Sequence, residues 1–138
     1  FAGECDLAIG NTYYMGLMAT NEKEPEQKEW AAAVKVLFPN AADRGTHVNL
    51  SGASLMKSAP DAAAGLALIA YLASAEAQSA FAADNHEYPV KDGVAPSALV
   101  ASWGPLKPDP IAIEEVAKLR RQASELVDKV GFDNGPSS

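Results

Sequence analysis

Apolar and polar residues alternate first at Asp6-Leu7-Ala8-Ile9, the period of a half-buried strand. Gly10 frees the backbone at its end. A helix then starts at Tyr13 and runs to Met18, with Asn11 or Thr12 as the capping residue. A solvated charge run, Asn21 to Glu29, leads into a second helix through Pro25, a residue suited to a first helical turn. That helix is expected to reach about Val36, with Trp30, Ala33, Val34 and Leu37 on one face, and to stop at Phe38-Pro39-Asn40. Residues 40–45 read as a loop.

From Thr46 to Lys57 the alternation returns as the strongest strand signal in the chain. Val48 and Leu50 share a phase, Gly52 interrupts, and Ala53 and Leu55 resume in the other phase, the pattern of a bulge or a hinge. Ser58-Ala59-Pro60-Asp61 opens a helix with Leu66, Ile69, Ala70 and Leu72 on its apolar face. Ser74 can cap the next helix, Ala75 to about Asn85, with Ala77, Ala80 and Phe81 as its buried stripe. Tyr88-Pro89-Val90 is extended, because the residue before proline avoids the helical region. Prolines at 96, 105, 108 and 110 make 91–110 loop-rich, with a helical turn over Ser97 to Ala101 and Trp103 filling a gap beside it. The last helix runs from Ile111 or Glu114 to Val130. Val116, Leu119, Ala123, Leu126, Val127 and Val130 keep its period, and Gly131 stops it. The fold class expected is α/β, with several helices packed on short strands.

Composition narrows the functions. The chain has 138 residues, is 48% hydrophobic and carries a net charge of −7. That balance argues against a nucleic-acid partner and against docking on an anionic membrane by charge. No run of about 18 apolar residues is present to form a transmembrane helix. The single cysteine, Cys5, rules out an internal disulfide and is expected to be buried in the first strand. Dinucleotide, phosphate-loop, zinc-protease and nucleophile-elbow motifs are all missing, so the reading is not an enzyme. His47 and His86 are expected at a strand start and a solvated helix end, and neither is assigned as a ligand. Phe1 is not an initiator methionine, and the chain reads as cut from something longer. Its end reads as natural: Gly131 to Ser138 is a helix stop followed by a polar tail.

The candidate chemistry lies in Tyr13 and Tyr14. Adjacent residues at a helix start diverge by about 100°, so two phenol oxygens can converge on one ion there. The free N–H groups of the helix start favour an anion beside them. Paired phenolates with an anion suit a hard, highly charged cation, and ferric iron is the obvious one. The alternatives are a pocket for an organic or anionic solute, with the tyrosines stacking or hydrogen-bonding, and a structural module with the tyrosines packed in its core.

Several stretches together resemble the periplasmic ferric-iron-binding proteins of bacterial ABC importers. They are Gly3 to Tyr14, Gly45-Thr46-His47-Val48-Asn49-Leu50-Ser51-Gly52, Ala75-Glu76-Ala77-Gln78, Glu87-Tyr88-Pro89-Val90, Ser97 to Gly104 and Glu125 to Asp133. The resemblance implies part of a two-lobed, type II periplasmic binding protein that closes on one ferric ion (Fe3+) with a synergistic anion, phosphate or carbonate. It matches Tyr13 and Tyr14 to the metal ligands and Asn11 to an anion contact. It implies delivery of iron to an ABC permease in the inner membrane. It also makes this chain the C-terminal portion, with further ligands supplied by a missing N-terminal part. About 1–45 and 95–138 would then belong to the tyrosine-bearing lobe, and about 46–94 to the other. Strands without their upstream partners would leave apolar faces to be covered by the companion part or by self-association.

Overall fold

The structure, a computed structural model, describes residues 5–132. Seven helices follow one another: α1 (Tyr13–Ala19), α2 (Glu26–Ala32), α3 (Ala62–Leu72), α4 (Ala75–Asp84), α5 (Ala98–Ser102), α6 (Ile113–Lys118) and α7 (Arg120–Val130). The helix starts read from the sequence hold where a polar side chain caps them. Asp61 accepts the Ala64 N–H at 2.9 Å, Ser74 the Ala77 N–H at 3.2 Å, and Ser97 the Val100 N–H at 3.3 Å. Each satisfies one of the donors that a helix start leaves open. Gly131 ends α7 in the left-handed conformation, φ 61°, where a glycine has no side chain to clash.

Two helices differ from expectation. α2 stops at Ala32 rather than near Val36. Beyond it Val34, Val36 and Phe38 belong to a non-helical stretch that ends at Pro39, whose ring disfavours a helical Phe38. The final helix is broken at Leu119 (φ −87°, ψ −5°) into α6 and α7. The apolar period runs on across the break, which is why the pattern alone did not reveal it.

The expected strands do not form among the described residues. Leu7 and Ile9 are 80% and 97% exposed, and the segment 46–56 carries no ladder. Cys5, expected to be buried, is exposed. A strand needs a neighbour for its N–H and C=O groups, and the one β-contact here is an isolated parallel bridge between Thr46 and Pro108. That bridge is well made. Thr46 N–H donates to Lys107 O and Asp109 N–H to Thr46 O, both at 2.8 Å, and the Thr46 hydroxyl donates to Pro39 O at 2.7 Å. Gly45 (φ 105°) makes the approach possible, since a Cβ there would sit 2.7–2.8 Å from the Lys107 and Pro108 backbone. The expected tail Asp133–Ser138 and the residues Gly3 and Glu4 lie outside the described residues.

The core is small. Ala31, Ala77, Ala82 and Val100 are its buried apolar members. α1 packs on α2 and α3 on α4. An open, largely apolar cavity of about 460 Å³ lies between α1, α2 and α5, lined by Met15, Ala19, Ala31, Val36, Leu99 and Trp103. By contrast, Leu66, Leu68 and Tyr71 on α3, and Leu126, Val127 and Val130 on α7, are all at least 42% exposed. Leu126, Val127 and Val130 share one side of α7, while the exposed apolar residues of α3 lie all round that helix; surfaces of this kind normally meet another element. No single helix among the described residues is long and apolar enough to cross a membrane; only α3 and α4 taken together pass such a test, across a 63° bend.

Candidate metal centre

α1 begins with the two tyrosines. Its start is made by the backbone rather than by a side-chain cap: Tyr14 N–H donates to Asn11 O at 3.3 Å and Met15 N–H to Thr12 O at 3.0 Å. Thr12 is already helical (φ −64°, ψ −29°) and its side chain caps nothing. Asn11 is therefore left with its amide free for another task.

That task is at Tyr13. The rings of Tyr13 and Tyr14 stand with centroids 4.2 Å apart, tilted by 37°. The Tyr14 hydroxyl and the Asn11 side chain both act on the Tyr13 phenol. The two tyrosine rings lie side by side at the helix start, with Asn11 acting on the first of them. Tyr13 is half-buried and Tyr14 is 51% exposed, so the pair opens toward solvent.

Four effects raise the Tyr13 phenol above its ordinary value of 10.0. The hydrogen bond to Tyr14 is the largest, then partial burial, then the charge of Tyr14, and last the negative charge of Glu87. Asn11 works against them by donating to the phenol oxygen and favouring its ionised form. The balance favours the protonated Tyr13 phenol, and a cation binding there must displace its proton.

Glu87 is the residue the sequence reading passed over. In sequence it belongs to Asp84-Asn85-His86-Glu87, which reads as a solvated helix end, yet its charge acts on Tyr13, and the Ser51 hydroxyl stands 3.5 Å from its Oε1. Ser51 and Glu87, 36 positions apart, therefore meet, and the charge of Glu87 is felt at Tyr13. No local pattern announces Glu87; its role depends on the chain folding back over α1.

His86 also departs from expectation. It is not at a solvated helix end but 6% exposed, with its backbone in the left-handed region (φ 57°). Its ring covers Gly16 of α1. His47 is exposed, as expected of a strand-start histidine on the surface. Among the described residues no three His, Cys, Asp or Glu side chains cluster to hold a metal ion. Glu87 is the carboxylate whose charge acts on the Tyr13 phenol.

No family model matches the chain. Individual proteins do. Iron uptake protein A1 of Synechocystis is 40% identical over 131 residues, which is 95% of this chain and 36% of the relative. The apo ferric ion-binding protein A of Pasteurella haemolytica is 45% identical, with a TM-score of 0.86 over 96% of this chain and 41% of that one. The Trichodesmium protein IdiA (FutA), solved with iron and citrate, is 37% identical with a TM-score of 0.83, over 90% of this chain and 39% of that one. The homologues are iron-uptake and ferric-binding proteins, and the chain spans about two fifths of their length.

Proposed function

We propose that this chain is the tyrosine-bearing part of a periplasmic ferric-iron-binding protein that captures Fe3+ and delivers it to an ABC permease in the inner membrane. The observation that carries the reading is the pairing of the Tyr13 and Tyr14 rings at the start of α1, centroids 4.2 Å apart, with Tyr14 and Asn11 both acting on the Tyr13 phenol. Two phenolates are hard anionic oxygen donors, matched to a hard trivalent cation. Glu87 adds negative charge beside them. Asn11 keeps an amide with which to orient a synergistic anion, a phosphate, carbonate or small carboxylate. One relative was solved in complex with iron and citrate.

Two phenolates and an anion leave coordination positions open, and segments outside this chain fill them. The remainder of a two-lobed α/β protein would supply those ligands. It would also give strand partners to residues 6–9 and 46–56 and cover the exposed apolar faces of α3 and α7. Residues 1–45 and 95–138 form the tyrosine lobe in this reading, and 46–94 the other. The mechanism is binding without catalysis: the phenols lose their protons, the cation takes their place, and lobe closure excludes water.

The test is visible absorption after adding ferric citrate to this chain and to its Tyr13→Phe, Tyr14→Phe double variant. A phenolate-to-iron charge-transfer colour in the parent that is absent from the variant is the expected result. Equal ferric binding by both would refute the assignment.

A further inference from the structure

His86 bears on the tyrosine site without touching a phenol. Tyr13, Gly16 and Thr20 are spaced three and four residues apart and share one face of α1. His86 lies on that face. A Cβ at Gly16 would fall 2.3–2.4 Å from the Cβ, Cγ and Cδ2 atoms of His86, so only glycine admits the ring. Nε2 stands 3.3 Å from the Thr20 hydroxyl, and that hydroxyl spends its proton on Gly16 O at 2.9 Å. Nε2 is then the donor and carries the ring proton. Nδ1 is the acceptor, buried and without a partner.

These features are costly. A left-handed backbone disfavours any residue with a side chain by about 1–2 kcal/mol, and a buried unpaired polar atom adds a cost of similar order. Such strain persists where the surroundings over-determine it and concentrates at functional sites. The next residue is Glu87, whose charge acts on Tyr13.

We propose that His86 is a positioning residue of the tyrosine site: seated on Gly16 and Thr20, its ring fixes the pose of α1 against the 85–90 segment. Tyr13 and Glu87 thereby hold a constant spacing. The inference rests on the ferric reading of the tyrosine pair, and its experiment separates the two. His86→Asn keeps a residue that tolerates the left-handed backbone but removes the ring. Gly16→Ala keeps the ring and takes away its seat. Both are compared with the parent chain for ferric citrate affinity, for the wavelength of the charge-transfer band, and for the aromatic NMR resonances of Tyr13 and Tyr14 in the iron-free chain.

Each variant is expected to weaken ferric binding about tenfold, as loss of a partner that orients a metal ligand does, and to shift the band. The Gly16→Ala, His86→Ala double variant is expected to lose less than the sum of its parts, because the new methyl occupies the vacated space. Unchanged affinity and band in His86→Asn would overturn the proposal. So would strictly additive losses in the double variant. If the parent chain itself gives no phenolate colour, the ferric reading fails, and the iron-free spectra decide the positioning role. Displaced Tyr13 and Tyr14 resonances in both single variants support it, and unmoved ones overturn it.

Discussion

Gln78 gives the most quantitative prediction. It sits in the first half of α4, 9% exposed, where an apolar residue would be usual. Its amide is used at both ends: Nε2 donates to Leu72 O at 2.9 Å, and Oε1 accepts the Val90 N–H at 2.9 Å. One side chain thus ties the end of α3 to the extended segment that carries His86 and Glu87. Gln78→Met keeps the length and volume of the side chain and deletes both hydrogen bonds. Each contributes about 1 kcal/mol net, so the loss is about 2 kcal/mol. Val90 is 69% exposed, which lets water reach the freed N–H and keeps the cost near that net value. At about 4 °C per kcal/mol for a chain of this size, the thermal midpoint falls by about 8 °C. The assay is thermal unfolding followed by far-UV circular dichroism. Ser79→Ala is the control: its exposed hydroxyl bonds Ala75 O within the same helix, and its removal changes stability by no more than about 0.5 kcal/mol. A Gln78→Met midpoint that stays with the control would refute the claim that this amide holds the 86–90 segment in place.

Other outcomes follow from the same geometry. Asp61→Ala removes the α3 cap and lowers stability by about 1 kcal/mol, read in the same melting experiment. Tyr14→Phe lowers the Tyr13 titration toward its ordinary 10.0 by removing the strongest cause of its rise, and Glu87→Gln lowers it by less. Phenolate ultraviolet absorption against pH measures both, and a larger effect from Glu87→Gln would reverse the stated order. Ferric affinity falls with acid, by about tenfold per pH unit for each phenol proton displaced. The sign follows from Tyr13, whose folded environment favours the protonated form over the neutral range. Competition against a chelator at several pH values checks it, with a flat profile as the contrary result.

What could be read from the sequence was what is decided within a few residues. Asp61, Ser74, Ser97 and Gly131 mark helix ends by chemistry that acts over one turn; Ser74 and Gly131 serve as the expected cap and stop, and Asp61 and Ser97 cap the helices expected to open at those stretches. The closeness of the Tyr13 and Tyr14 rings is likewise local, since helical geometry places adjacent side chains only about 100° apart. What could not be read depends on distant partners. Leu7 and Ile9 carry a strand pattern, but a pattern supplies no neighbouring strand, and both remain exposed. His86 looks like the end of a solvated helix until Gly16, seventy positions earlier, is seen to leave room for its ring. Glu87 becomes part of the site for the same reason. The amphipathic period of α7 was legible, while the surface that would cover it is not among the described residues.

The central claim is that Tyr13 and Tyr14 bind ferric iron as phenolates. Resonance Raman scattering from the ferric-loaded chain, excited within its visible absorption band, tests it most directly, because only side chains bonded to the metal gain intensity. The account predicts tyrosinate ring modes in the parent chain, weakened in Tyr13→Phe and in Tyr14→Phe and absent when both are replaced. An iron-loaded chain whose spectrum shows no tyrosinate modes, or shows them undiminished in the double variant, would contradict it.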